Sequence, residues 1–217
     1  DFHPGARLPD EFSSSFDVLL VSSGLIRETL PYWFSLLNRE HRILIRAGSG
    51  SRSSADARYM APRTYFRRTG KDSGDGPPVM NIETLCGPGA DFISTGPFLR
   101  LTVDGQPPGS TVQPTDGSVT VRIRAEAPGW IALDNATVYR NGKKVCSLHL
   151  KEGGTVKRLD RTLQVDAETR GWIVATVSGG ETLEPIYVVP GGGGLRPFAV
   201  TNPIWINSPG KENSRPE

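Results

Sequence analysis

DFISTGPFLRLTV, residues 91–103, is the stretch at which the chain changes character. Before it, short apolar runs alternate with one helical pattern; after it, strand-length segments succeed one another between Gly-, Pro- and Asn-containing turns. This predicts an α/β part over residues 1–95, an all-β part over 96–210 and a disordered polar tail over 211–217. At the joint, Thr95-Gly96-Pro97 is expected to fix one part against the other. Glycine would supply an unusual backbone angle there, and proline would stiffen the entry to the next strand.

Composition narrows the functional classes. The 217 residues include 25 Gly and 18 Pro, with 36% hydrophobic and 8% aromatic residues, a balance that suits a strand- and loop-rich protein better than a helical bundle. With 25 basic against 23 acidic residues the net charge is only +2. No stripe marks a nucleic-acid footprint, and the short cluster Arg63, Arg67, Arg68 and Lys71 reads as a solvated loop. No apolar run approaches the length of a membrane span, so membrane insertion is not expected. The first residue is Asp1, with no charged-then-apolar leader after it, so the start reads as processed or as a fragment. Two cysteines, Cys86 and Cys146, are too few to define a disulfide framework, and a bridge between them stays open.

Within the first part, residues 16–21 (FDVLLV) have the pattern of a buried strand. Leu30, Trp33, Phe34 and Leu37 then fall on one helical face, which predicts a helix over residues 29–39 with Thr29 as N-cap and Pro31 in the first turn. Residues 42–47 (RILIRA) read as a second strand, completing a strand–helix–strand unit with a parallel crossover. The loop GSGSRSS at 48–54 lacks the Lys-Ser/Thr of a phosphate-binding loop. Residues 62–66 (PRTYF) predict a third strand, and 79–85 a short helix.

Taken together, FDVLLVSSG, YWFSLLNRE, RILIRAGSGSRSS, APRTYF and DFISTGPFLRL resemble the carboxyl-terminal portion of PHP-superfamily metallohydrolases of the CehA/McbA-like type, in order and spacing over about 100 residues. The resemblance implies half of a distorted β/α barrel followed by a β-domain, and a divalent-metal site that activates water. It assigns one ligand position to His3, in the FHPG motif. At the other positions the family's residues are replaced: Leu20 stands where a Glu is usual, Ser23 where an Asn is, Gly50 where an Asp is and Arg52 where a His is. Leucine and glycine offer no ligand atom, and arginine opposes a cation. The remaining histidines, His41 and His149, lie away from this pattern. A half barrel also leaves strand edges open, which implies an upstream half of the same barrel, as a separate or nicked segment, as partner.

In the second part, residues 98–103, 118–125, 161–165, 171–177 and 185–189 predict strands, and Asn141-Gly142 predicts a type I′ hairpin between 136–140 and 143–150. About seven strands in this length suit an immunoglobulin-like β-sandwich. Trp130 and Trp172 each follow Gly and precede Ile; they read as core aromatics or as stacking platforms for sugars. The closing segment LRPFAVTNPIWIN resembles the terminal strand of the same family.

The function expected from this reading is a catalytically degenerate PHP-like protein acting as a structural or binding unit, with no cofactor. The alternatives are a metal-dependent hydrolase of phosphoester, carbamate or amide bonds, using Zn or Mn with His3 as one ligand, and a carbohydrate- or cell-surface-binding sandwich. The family's habits and the processed-looking start imply an extracellular or periplasmic location.

Overall fold

The computed structural model describes residues 17–22, 26–48, 62–67, 90–150, 155–187 and 194–208. Among these residues it is mostly β-sheet with one short helix. Among the described residues no helix is long and apolar enough to cross a membrane.

The first part gives β1 (Val18–Ser22), α1 (Ile26–Asn38) and β2 (Leu44–Gly48), with β1 and β2 paired in parallel. The helix starts three residues before the expected Thr29, so Thr29 is a buried residue inside it and Pro31 lies well past the first turn. Packing overrides the local start signals: Leu30, Trp33, Phe34, Leu36 and Leu37 are all buried, and the Trp33 indole N–H donates to the Ile43 carbonyl at 2.9 Å.

β3 (Arg63–Phe66) and β4 (Ala90–Ser94) pair with each other, and β4 then pairs with β12 (Phe198–Thr201), more than a hundred residues later. The chain crosses at residues 95–97 to β5 (Phe98–Val103), which belongs to a second sheet ordered β10-β7-β5, where β7 is Ser118–Glu126 and β10 Lys157–Asp166. This corner is stitched rather than loose. Thr95 Oγ1 accepts from the Phe198 N–H at 2.8 Å and donates to the Arg196 carbonyl at 2.8 Å, while Ser94 Oγ accepts from the Gly96 N–H at 2.8 Å. Gly96 does not take the positive φ expected of it. Space is what requires glycine: a Cβ would lie 2.8 Å from Cδ1 of Ile131.

The larger sheet is built around β11 (Gly171–Ser178). β8 (Asn135–Arg140) lies along one edge of β11, with β9 (Lys143–His149) beyond it. On the other edge β12 covers one half of β11 and β13 (Ile204–Ile206) the other, the break falling at Asn202-Pro203. β6 (Thr111–Val112) pairs with β13 in parallel. The expected hairpin is present, Asn141 (φ 51°) and Gly142 (φ 79°) both taking the left-handed values of a type I′ turn. The expected strand at 185–189 is not seen in its described residues, where the Ile186 and Tyr187 N–H groups both donate to the Leu183 carbonyl in a turn.

Two cores share this sheet. One face packs on the three-stranded sheet through Leu101, Val121, Ile123, Ile173, Ala175 and Val177. The other packs on α1 and β2 through Ile93, Trp172, Val174, Phe198, Val200 and Trp205. Alternate residues of β11 therefore face two different apolar layers, so its run GWIVATVS is buried almost throughout.

Between the layers, side chains replace strand pairing. The carboxamide of Asn202, fully buried, accepts from the Ile45 N–H at 2.7 Å and donates to the Ile45 carbonyl at 3.2 Å. Thr64 Oγ1 treats Ala47 in the same way, accepting from its N–H at 2.8 Å and donating to its carbonyl at 3.1 Å. The free edge of β2 is thus satisfied by two residues from the neighbouring sheet.

Candidate functional site

A cleft of about 240 Å³ opens where the end of α1 meets the β8–β9 turn and β13. Its apolar walls are Leu37, Trp172, Trp205 and Ile206. Its rim carries Asn38, Glu40, Arg42, Asn141, Arg170 and Asn207. The size suits a metabolite-sized ligand, a little below the roughly 300 Å³ at which pockets for drug-sized molecules begin.

Asn141 organises one wall. Its Oδ1 accepts from the Trp172 N–H at 2.9 Å and from the Arg140 guanidinium at 2.8 Å, and its Nδ2 donates to the Arg170 carbonyl at 3.3 Å. Asn38 reaches across from the helix: its Oδ1 accepts from the Trp172 indole N–H at 2.9 Å and its Nδ2 donates to the Asn141 carbonyl at 3.3 Å. Arg140 itself is buried, its Nε donating to the Asp166 carbonyl at 3.2 Å, and burial holds its pKa below the ordinary arginine value despite Asp166. Gly171, at φ 156°, leaves the room this arrangement needs, since a Cβ there would meet Asn141 Oδ1 at 1.9 Å.

The opposite lip results from how α1 ends. The His41 N–H donates to the Leu36 carbonyl at 3.2 Å and the Glu40 N–H to the Leu37 carbonyl at 3.1 Å, the paired bonds of a Schellman cap. The left-handed residue of such a cap is usually glycine; here it is Glu40, at φ 67°. An L-residue in that conformation costs on the order of 1 kcal/mol, and the cost sits on the one acidic residue of the cleft. Two residues on, Arg42 lies over the Trp205 ring at 5.1 Å and donates to Thr111 Oγ1 at 3.2 Å. Arg170 is exposed on the other side. Among the described residues neither guanidinium, Arg42 or Arg170, meets a carboxylate. The cleft therefore presents two cations and one anion over walls that include two buried indoles, and its Asn38 and Asn141 carboxamides are engaged within the protein.

This constellation had no signature in the sequence, because its members span residues 37–207 and no two of its charged groups form a motif. The residues expected to serve a site are placed elsewhere. His3, Ser23, Gly50, Arg52 and Cys86 lie outside the described residues, as do the helix expected at 79–85 and the tail. Leu20 is on β1 with 72% of its surface exposed. His41 is half-buried beside the helix cap, and His149 is exposed at the end of β9. Cys146, also on β9, carries a free thiol. Among the described residues no three His, Cys, Asp or Glu side chains gather as a metal would require.

The two tryptophans part company. Trp172 is buried beneath Phe34, with ring centroids 4.8 Å apart, so it packs rather than stacks on ligand. Trp130 is 54% exposed on a tight turn, where the Ile131 N–H donates to the Pro128 carbonyl and the Arg158 guanidinium donates to the Pro128 and Ile131 carbonyls. Comparison with protein-family models, with curated proteins and with solved structures finds no match for this chain.

Proposed function

We propose that the chain is a catalytically degenerate protein of PHP-metallohydrolase type, half of a β/α barrel joined to an immunoglobulin-like sandwich, and that it works as a binding unit. The observation that carries this reading is the make-up of the cleft: two guanidiniums free of carboxylates among the described residues, one from each side of residue 95, with carboxamides from both sides. Leu20 points the same way, an aliphatic side chain at a position where the family to which the chain is similar carries a Glu. The test is hydrolysis of phosphoester, carbamate and amide model substrates with Zn or Mn added. No turnover above background is expected. Metal-dependent turnover that His3→Ala abolishes would restore the hydrolase reading, with the remaining ligands supplied from upstream.

An upstream half of the barrel is the partner this reading calls for. β1 pairs only with β2 among the described residues, and Leu20 is exposed on it, so a further strand has an edge to join. Co-purification of an upstream segment supports it; a folded monomer of this chain alone contradicts it. Extracellular or periplasmic placement belongs to the same proposal and is tested by cell fractionation.

A second reading, carbohydrate binding, is favoured by Trp130, whose exposed indole is held on a rigid turn. Trp130→Ala is expected to abolish any sugar-induced fluorescence change; a change that persists in this variant removes the reading's support.

A further inference from the structure

Resting on the binding reading above, we infer that the cleft takes a small monocarboxylate with a flat apolar body and a hydrogen-bond donor at its far end. Charge comes first. Arg42 and Arg170 stand at the rim without carboxylate partners among the described residues, and Glu40 is the one acid beside them. Among the lining side chains the excess is one positive charge, which a monoanion neutralises; a dianionic phosphate would overshoot it and be repelled by Glu40. Guanidinium forks match a carboxylate with two parallel hydrogen bonds. Arg170, exposed on the side away from Glu40, is placed to fork the carboxylate, while Arg42, anchored by Thr111 and laid on Trp205, adds positive field from the near lip.

Shape comes second. The floor is apolar, made by Leu37 and Ile206 with the almost wholly buried Trp172 and Trp205, and about 240 Å³ holds one ring with short substituents rather than a peptide.

Glu40 supplies the third element. It occupies the cap position where glycine is cheapest and lines the cleft from there. A carboxylate so placed accepts from a hydroxyl or amino group on the ligand, which directs the ligand's own carboxylate to Arg170 on the other side of the cleft. Strain of this kind at a ligand-facing residue is the pattern expected where binding, not folding, sets the residue type.

The experiment is isothermal titration calorimetry of the full chain with 4-hydroxybenzoate, 4-hydroxybenzamide, benzoate and phenyl phosphate. The hydroxy acid is expected to bind at least about tenfold tighter than its amide and than phenyl phosphate. Arg170→Ala, at an exposed side chain with no ion pair to lose among the described residues, is expected to cost about tenfold for the acid and little for the amide. Glu40→Ala, which removes the acceptor, is expected to abolish the preference for 4-hydroxybenzoate over benzoate, Glu40→Gln, which keeps a neutral acceptor, to weaken it, and Glu40→Gly to abolish it with a relaxed cap. Equal affinity for acid and amide, with both lost in Trp205→Phe or Arg42→Ala, would overturn the ligand class and leave the cleft as a binding site. Heats unaffected by every cleft variant would place binding elsewhere and overturn both proposals, and no heat with any probe would overturn the ligand class.

Discussion

The carboxamide of Asn202 does for β2 what an adjacent strand would otherwise do, giving and taking one hydrogen bond at Ile45 in a site closed to water. Asn202→Ala leaves a buried N–H and a buried carbonyl without partners, at about 1–3 kcal/mol each. A loss of roughly 2–6 kcal/mol in urea unfolding is expected. Asn202→Asp should recover only the half in which Ile45 donates. Two aspartates set opposite pH dependences. Arg122 and Lys157 hydrogen-bond the Asp160 carboxylate and hold its pKa far below the usual range. That stabilisation is complete above the unfolded value near 3.9 and is lost as pH falls through the lower folded value. Burial pushes Asp91 up, against the pull of Arg67 and Arg100, so its contribution is present below about pH 3.9 and is lost as pH rises through the raised value. Unfolding measured from pH 5 down to 2 should therefore show an acid-side loss that Asp160→Asn diminishes. None of this was legible in the sequence. Asn202 sits in a segment readable as a strand, but its partner is 157 residues away, and nothing local points from Arg42 to Arg170.

At the scale of elements, periodicity found α1 and misjudged its start. Thr29 and Pro31 have the residue types of an N-cap and a first turn, whereas the apolar stripe from Leu30 to Leu37 is what the sheet selects. Pro31 consequently sits inside the helix, on its exposed side, where it removes the N–H that would reach the Arg27 carbonyl. Pro31→Ala is expected to raise the unfolding free energy by about 1–3 kcal/mol, because the bond is restored and no packing is lost. Such a gain, read from a higher urea midpoint at unchanged slope, would be matched by no gain if the helix began at residue 29. The β8–β9 turn was legible for a local reason, since Asn-Gly specifies its own backbone angles. The stretch at 185–187 was not: its apolar residues suit a strand, yet the Leu183 carbonyl draws both the Ile186 and Tyr187 N–H groups into a turn.

For the whole molecule, the sandwich pattern was readable from strand spacing and from alternation in β7, whose buried residues fall at every second position. The strands and helix of the third layer were readable too, but not the sheet face they cover, because a sheet covered on both faces shows no alternation to reveal what covers it. The two cores meet at β11, so they are expected to unfold together, with one calorimetric transition whose van't Hoff and calorimetric enthalpies agree. Removing residues 1–48 would uncover Trp172, Val174, Phe198, Val200 and Trp205 at once. That variant is expected to aggregate, as monitored by light scattering, rather than to behave as an independent sandwich.

The position of β12 between β4 and β11 also bears on how the protein is made. A ribosome delivers residues 90–94 long before residues 198–201, and at roughly 5–20 residues per second the delay is on the order of 5–20 s. Throughout that interval β4 has no partner on its inner side and the underside of α1 faces an unfinished sheet. The nascent chain therefore carries an uncovered apolar face throughout that interval, and closure of the sheet waits on β12.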